Sequence, residues 1–291
     1  MPAAFASKYP RSANRSLGLC SLRPRFVRRH LDYRRRGVRP GAIPGDMKAI
    51  IKARIRFRKI GDLRFFSHHD LARMFERMLR RAGLPFRLSE GFHPMPRMAF
   101  ASALALGIAG WDEVVEIEFT QPVTPEEIHR RLAEQCRSGL EIVSVRLVDP
   151  KQTARPVRAI YRLAVPSELV ESIERRLRQL DQQSQWWVER VRILEGGAQR
   201  PDPAMGDIEV PLVAPIQRRE IRSLDIRPFV ERIWLQDDYL YFSCAITPQG
   251  SARPEEVLRL LDLDHLVDEG IVIERISLQL ADEPVVEAQP A

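Results

Sequence analysis

Three of the six histidines, His68, His69 and His93, fall within one short stretch of the sequence. Imidazole is the side chain that exchanges a proton near neutral pH, so it can serve as an acid, a base or a ligand. Asp70 directly follows the first two histidines, and Arg97 lies four residues after the third. The stretch therefore carries the residue types needed for acid–base chemistry or for binding an anion.

A predicted helix at 68–82 positions the first of these residues. Ser67 and Asp70 form an S-x-x-D capping box, and Gly83 is typical of a residue that ends a helix. Apolar residues recur on one face of this segment, as in an amphipathic helix. They are Leu71, Met74, Phe75, Met78, Leu79 and Ala82.

We expect residues 91–97 to lie beside the start of this helix. In a β-α-β unit the strand after the helix runs parallel to the strand before it, so its end lies near the helix N-terminus. That arrangement would bring His68, Asp70, His93 and Arg97 within reach of one pocket, where free backbone N–H groups could also bind an anion.

Three interpretations of this pocket stay open. Helix capping alone explains Ser67 and Asp70, and His93 can simply brace its loop. Alternatively, Ser67, His68, His93 and Arg97 contact a ligand or RNA. In the third interpretation His68, His93 and Asp70 are catalytic. A metal site formed by His68, Asp70 and His93 is a further, minor alternative. We therefore predict no metal ligands.

A basic face on the same helix offers a surface for nucleic acid. Its residues are Arg73, Arg77, Arg80, Arg81 and, in the turn that follows, Arg87. Guanidinium groups bind phosphates, but such a face is also the ordinary solvated side of a helix, and Glu76 offsets part of its charge. We assign Arg73 and Arg80 as candidate RNA-binding residues.

A second anion site is predicted at 250–254, where small residues and an arginine open another helix. Ser251 and Arg253 are its candidate binding residues. The segment has no Walker lysine, so it is not a nucleotide-hydrolysing loop. Plain N-capping by Ser251 is the alternative.

The pattern of elements predicts an α+β fold of two ferredoxin-like (β-α-β-β-α-β) modules, at 47–150 and 157–281. Each module contains a helix that starts with Pro-Glu-Glu, at Pro125 and Pro254, and each of these helices leads into a strand. The predicted strands lie near 50–58, 86–89, 98–104, 113–119, 140–147, 159–165, 186–193, 229–235, 239–247 and 271–278, with a further helix at 167–181 and a loop at 195–215.

Three of these strands carry more specific predictions. In the first, Ile51, Ala53, Ile55 and Phe57 alternate with Lys52, Arg54, Arg56 and Arg58, which predicts a half-buried strand whose polar residues face solvent. The strands at 229–235 and 239–247 form a predicted hairpin that turns at Asp237-Asp238. Trp186 and Trp187 point to opposite sides of their strand, so we expect only one of them in the core.

We predict that residues 1–46 form a disordered basic tail and that residues 282–291 form a second disordered tail. The first holds Lys8 and ten arginines against Asp32 and Asp46. It would suit an RNA-binding arm or a transit peptide. We favour a third interpretation, in which the protein starts at Met47 and the segment is not translated. Since the whole chain has a net charge of +7, the remainder is slightly acidic, so net charge alone does not argue for nucleic acid.

The composition excludes several classes of protein. No apolar run approaches the roughly 18 residues that a membrane helix needs, so we expect no membrane association. Cys20, Cys136 and Cys244 are scattered, which predicts neither a disulfide framework nor a zinc site, and favours a reducing, cytoplasmic location.

Several motifs in the sequence resemble the radical-SAM-linked domain of unknown function, a bacterial family found C-terminal to a radical-SAM enzyme or as a separate chain. The resemblance runs from about Lys48 to Asp262. It rests on FRKIGDLRFFSHHD (57–70), LRRAGLP (79–85), GFHPMPR (91–97), DIRP (225–228) and GSARP (250–254). It implies a partnership with a separate radical-SAM enzyme. This chain lacks the Cys-x3-Cys-x2-Cys loop that holds an iron–sulfur cluster, so we expect it to carry no cofactor.

These observations lead to three hypotheses about function. The first is a non-catalytic accessory module that binds RNA, or presents a substrate, for a separate radical-SAM or RNA-processing enzyme. The second is a metal-independent RNA-cleaving enzyme using His68 and His93. The third is a structural partner that binds only protein. We favour the first, so enzymatic activity is the less expected outcome.

Overall fold

The computed structural model describes residues 51–194 and 218–284. The first half of this region contains four strands and two helices. They are β1 (Ile51–Lys59), α1 (His68–Arg81), β2 (Met98–Phe100), β3 (Ala109–Phe119), α2 (Pro125–Ala133) and β4 (Leu140–Val148). The predicted tail at 1–46 and the predicted loop at 195–215 lie outside the described residues.

The second half contains six strands and three helices within the described residues. They are β5 (Pro156–Ala164), α3 (Val170–Asp181), β6 (Trp187–Leu194), β7 (Arg218–Asp225), β8 (Val230–Gln236), β9 (Tyr239–Ala245), α4 (Pro254–Leu260), α5 (His265–Asp268) and β10 (Glu274–Leu280). The chain continues in a turn to residue 284, two residues past the predicted start of the C-terminal tail.

Local sequence explains where several elements begin and turn. Thr124 caps α2 by accepting a hydrogen bond from the Glu127 N–H. The β8–β9 hairpin turns at Asp237 and Asp238, which both have positive φ, as a two-residue turn with the twist of a hairpin requires. The predicted hairpin and the two Pro-Glu-Glu helix starts are confirmed.

One mixed sheet runs through both halves, in the order β4-β1-β3-β10-β5-β9-β8, with β2 paired to β3. The first half thus has the order β4-β1-β3-β2, and the second half repeats it as β10-β5-β9-β8. The halves join where β3 and β10 run parallel, at Glu274 opposite Ala109 and Arg275 opposite Gly110. The predicted α+β class is confirmed, whereas the assignment to ferredoxin-like modules stays a prediction.

One predicted strand is confirmed but pairs outside the main sheet, and another is not formed. The segment near 186–193 does form a strand, but it pairs with β7 in a separate two-stranded ribbon. No strand was predicted at β7, so this pairing could not be expected. The segment at 86–89 forms only isolated bridges, of Phe86 with Phe119 and Leu88 with Pro96. The prolines around it lack the N–H groups that a continuous ladder needs.

Alternate residues of β1 face opposite sides of the sheet. Ala53, Ile55 and Phe57 join the core beneath α1 and α2. Lys52 and Arg54, predicted to lie on a solvated face, are instead 7% and 1% exposed. The Lys52 ammonium donates a 2.6 Å hydrogen bond to the carbonyl of residue 152, and the end of β10 covers Arg54. A pattern within one strand could not show that remote segments cover its polar face.

The helices of the second half, α3, α4 and α5, contribute to a second core over β5 and β9. None of the helices in the described residues combines the length and apolar character needed to cross a bilayer.

Candidate functional site

The start of α1 is closed by its own side chains. Ser67 Oγ accepts a hydrogen bond from the Asp70 N–H, and the Asp70 carboxylate accepts from the Ser67 hydroxyl at 2.6 Å and from the Ser67 N–H at 3.3 Å. The predicted capping box is confirmed. The hydrogen bond from the Ser67 hydroxyl lowers the pKa of Asp70, and the nearby charge of Arg73 adds to this effect. Asp70 is therefore a carboxylate, and not a proton donor, at neutral pH.

His68 and His69 contact each other edge-on, with ring centroids 6.1 Å apart, but among the described residues His93 does not join them. His68 packs edge-on against Phe100, with ring centroids 5.1 Å apart, and His93 lies exposed in its loop. No hydrogen bond or ring contact within the described residues joins His93 to His68 or Asp70. Arg97 lies 3.7 Å from the carboxylate of Glu118 on β3. The structure therefore shows capping of α1 but does not assemble these four residues around one contact.

An arginine-rich cavity of about 270 Å³ lies along the exposed side of α1. We call it the arginine groove and define it by Arg73, Arg77, Arg81 and Arg137, with Asp70 at one end. The three helical arginines are spaced four residues apart and therefore follow one face of the helix. Arg81 donates to the Gln135 side chain at 3.0 Å, which draws the segment after α2, and with it Arg137, towards α1.

The electrostatic character of the groove is strongly positive, since four guanidinium groups face one carboxylate. Among the described residues, no carboxylate lies within 4.0 Å of the side-chain nitrogens of Arg73, Arg77 or Arg137, although the many surface arginines elsewhere are commonly paired. Arginine forks bind phosphate oxygens in pairs of hydrogen bonds, so an unpaired set in a concave site suits a polyanion.

The rest of the predicted basic face is already engaged. Arg80 contacts Glu76 with two hydrogen bonds of 2.9 and 3.1 Å and lies over the Phe86 ring. Arg87 lies 3.4 Å from the Glu118 carboxylate. The basic face predicted from the sequence contains three arginines of the groove, Arg73, Arg77 and Arg81. Arg137 was not predicted to join them, because only the fold brings the segment after α2 beside α1.

A cavity of about 660 Å³ lies where the ribbon, the start of α4 and the core of the second half meet, and Ser251 and Arg253 are part of its wall. Arg253, and not Ser251, is the residue that precedes α4. The Glu256 carboxylate accepts from the Arg253 N–H at 2.9 Å and from Arg190 at 2.5 and 2.9 Å. Burial raises the pKa of Glu256, but the hydrogen bonds from Arg190 and Arg253 outweigh it and lower the pKa overall. An internal carboxylate thus already occupies the position where an anion was expected.

Behind this cavity lies a buried ion pair between Arg275 and Glu113. Although burial disfavours a charged guanidinium, the adjacent Glu113 carboxylate raises the pKa of Arg275 overall, so the guanidinium stays charged. Gly110 makes room for the pair, because a Cβ there would lie 2.6 Å from the Glu113 Cγ. Lys59 lies nearby, and burial lowers its pKa. Within residues 51–194 and 218–284, no three His, Cys, Asp or Glu side chains converge to hold a metal ion.

The family described as "Uncharacterized protein conserved in bacteria (DUF2344)" matches residues 52–202, slightly more than half of the chain. No curated protein matches the sequence. The crystal structure of an unknown protein from Galdieria sulphuraria is similar at 10% identity, over 79% of this chain and 98% of that one, with a TM-score of 0.22.

Proposed function

Because the chain belongs to the DUF2344 family of uncharacterised bacterial proteins, we propose its function from its own geometry: it is a non-catalytic accessory module that binds RNA. In this proposal the protein holds RNA, or presents a substrate, for a separate radical-SAM or RNA-processing enzyme. The radical-SAM partner rests on the sequence resemblance alone, and a cytoplasmic location belongs to the same proposal.

The arginine groove is the observation that supports RNA binding. Phosphate neutralisation by arginine provides most of the affinity of a protein for nucleic acid without reading its sequence. Four guanidinium groups around one cavity, with a single carboxylate at its end, provide such neutralisation in one place. Arg73, which sequence analysis assigned to RNA binding, lies in the groove, whereas Arg80 and Arg97 are drawn to acidic neighbours.

The fold adds weaker support. The repeated strand orders β4-β1-β3-β2 and β10-β5-β9-β8 are those of two β-α-β-β-α-β modules, so we interpret 47–150 and 157–281 as ferredoxin-like. Proteins that bind RNA often use such sheets, but a fold hosts many functions, and this likeness is an analogy.

RNA cleavage by His68 and His93 is the alternative. A metal-independent mechanism would need one imidazole as base and the other as acid on the same phosphate. The described contacts do not bring the two rings together, so no observation favours this alternative over binding. A role in binding only protein is the remaining hypothesis, and it predicts no affinity for RNA in the groove.

The decisive experiment measures the binding of a fluorescein-labelled single-stranded RNA to the full chain by anisotropy over a series of salt concentrations. The test variant is Arg73→Gln/Arg77→Gln/Arg137→Gln. The control is Arg175→Gln/Arg178→Gln/Arg222→Gln, which removes the same charge from exposed positions elsewhere. Both keep residues 1–46, so any contribution of that segment is common to all three proteins.

We expect the test variant to bind RNA more weakly than the wild type. We also expect the slope of log affinity against log salt concentration to become less steep by about two, since each phosphate contact to a single strand contributes roughly 0.7 and three arginines are removed. Equal losses in the test and control variants would sink the proposal. Intact RNA after incubation with the wild type would argue against cleavage, whereas cleavage that His93→Ala abolishes would support the alternative.

A further inference from the structure

A second cluster of arginines lies on the other side of the sheet, where β1 and β4 face the end of the described chain. Arg54 Nη1 lies 2.7 Å from the Asp282 carboxylate, and Arg146 Nη2 lies 2.6 Å from that of Glu283. Arg56 also contacts the Glu283 carboxylate. Three guanidinium groups from two strands thus converge on two consecutive carboxylates that follow β10.

The burial of Arg54 makes this arrangement costly without a counter-charge. Its side chain is 1% exposed, and its Nε donates a 2.9 Å hydrogen bond to Glu116, a carboxylate that Lys52 also approaches at 3.9 Å. The Arg54 Nη2 atom makes no hydrogen bond among the described residues. A buried charge is strongly unfavourable unless it is paired and hydrogen-bonded. The hydrogen bond from Arg54 in turn lowers the pKa of Asp282, as expected if this carboxylate is bound as an anion.

The charges in the cluster indicate which kind of ligand could replace the Asp282 and Glu283 carboxylates. Glu116 and Asp112 each pair with one arginine of the cluster, at 2.9 and 2.5 Å, and stay in place on β3. Asp282 and Glu283 together bring two negative charges, the charge of a phosphate dianion. Arginine binds carboxylate and phosphate oxygens with the same forked geometry.

Space for such a ligand is already present beside the cluster. A cavity of about 480 Å³ is lined by Arg54, Arg56 and Arg146, and also by Ser144 and Ser277, whose hydroxyls can donate to an anion. Glu283 forms part of the same wall. A ligand could therefore approach the arginines through open space without disturbing the sheet.

The backbone that holds the two carboxylates is only lightly attached. Beyond β10, the Ala281 N–H donates to the Arg155 carbonyl at 2.9 Å, and the Glu283 N–H donates to the Leu280 carbonyl at 3.2 Å. Among the described residues, the other polar contacts of the Asp282 and Glu283 side chains across the sheet are their ion pairs with the three arginines. Exchange of these carboxylates for a ligand would therefore leave the ladder of β10 intact.

We propose that Arg54, Arg56 and Arg146 form a binding site for a phosphate dianion or phosphate monoester, which the chain's own Asp282 and Glu283 occupy in the absence of ligand. Asp282 and Glu283 compete with the ligand for the three arginines. The apparent affinity for phosphate is therefore the intrinsic affinity multiplied by the fraction of molecules in which the site is free. Because this site lies on the opposite side of β1 from α1, it is independent of the arginine groove and of the proposed RNA binding.

The test titrates the full chain with inorganic phosphate by calorimetry. The competitor is removed in Asp282→Asn/Glu283→Gln. The control Asp264→Asn/Glu269→Gln removes the same charge from exposed positions at the two ends of α5, outside the cluster. We expect the first variant to bind phosphate at least tenfold more tightly than the wild type, and the control to bind as the wild type does. Adding Arg146→Gln to the first variant should abolish the gain.

Two further arms complete the test. Glu283→Gln alone keeps the Arg54–Asp282 pair, so it decides the matter if the double variant does not fold. Ribose 5-phosphate and ribose distinguish a monoester from free phosphate as the ligand, and ribose should not bind. Equal phosphate affinity in the competitor-free and control variants, or a gain that survives Arg146→Gln, would overturn the proposal and leave the cluster as an anchor for the end of β10.

Discussion

The Arg275 guanidinium and the Glu113 carboxylate lie against each other in the interior, with Nε of the arginine 2.7 Å from Oε1 of the glutamate. The two side chains are 2% and 4% exposed and 162 residues apart in the sequence. They belong to β10 and β3, the strands at which the two halves of the sheet join. The Ser102 hydroxyl accepts a further hydrogen bond from Arg275 at 3.1 Å. The ion pair therefore links the two halves.

We expect Glu113→Gln to lower the free energy of unfolding by about 3–5 kcal/mol, because it leaves the Arg275 charge buried without a counter-ion. Urea denaturation of the full chain measures the change. Glu141→Gln is the control, since its partner Arg58 is 37% exposed and such surface pairs contribute at most about 1 kcal/mol. A cost for Glu113→Gln no larger than for this control would contradict the role of the buried pair.

Substitution of Ser67, the N-cap residue of α1, distinguishes a structural role of this residue from a role in binding RNA. Ser67→Ala removes the acceptor for the Asp70 N–H, which should lower stability by about 1 kcal/mol at neutral pH. Since the Ser67 hydroxyl is engaged within the cap, we expect unchanged RNA affinity in the anisotropy assay. A loss of affinity without a loss of stability would instead assign Ser67 to ligand binding.

The same cap predicts the direction of a pH effect. The pKa of Asp70 is lowered in the folded state, so its stabilisation is present above the unfolded-state pKa and is lost as the pH falls through the lower, folded-state value. The difference in stability between wild type and Asp70→Asn, measured by urea denaturation, should therefore shrink on acidification. A difference that is constant from neutral pH into strong acid would show that ionised Asp70 does not stabilise the cap.

Cys244 should be inert in the native protein. It is 1% exposed, and burial raises the pKa of its thiol to about 12. Only the thiolate reacts with iodoacetamide, so peptide mapping should find Cys244 unmodified at mildly alkaline pH and modified once the chain is unfolded. Cys136, which is half-buried, is the internal comparison. Labelling of native Cys244 as fast as that of Cys136 would contradict this assignment.

Local patterns predicted the elements that depend on neighbouring residues. The Ser67–Asp70 capping box and the turn at Asp237–Asp238 each specify structure within four residues, and both are present. Alternation correctly assigned Ile55 and Phe57 to the core. These features were accessible from sequence because their partners are close along the chain.

Relationships between distant segments were not accessible in this way. Arg137 joins the arginine groove through Gln135, and Arg54 is covered by a residue 228 positions away. Nothing in the periodicity of β1 distinguishes a solvated arginine from one buried against the end of β10. The sequence therefore located the basic face of α1 but could not define the groove or the second arginine cluster, since both depend on how the segments pack.

The adjacent tryptophans Trp186 and Trp187 test the prediction that only one of them belongs to the core. Trp186 is 5% exposed and donates its indole N–H to the Leu180 carbonyl at 3.1 Å, whereas Trp187 is 58% exposed. We expect Trp186→Ala to lower the free energy of unfolding by about 3–5 kcal/mol, because it leaves a cavity in the second core. Trp187→Ala should change it by less than about 0.5 kcal/mol. Urea denaturation of both variants compares substitutions of identical chemistry one residue apart, and similar costs would show that the ribbon does not pack as described.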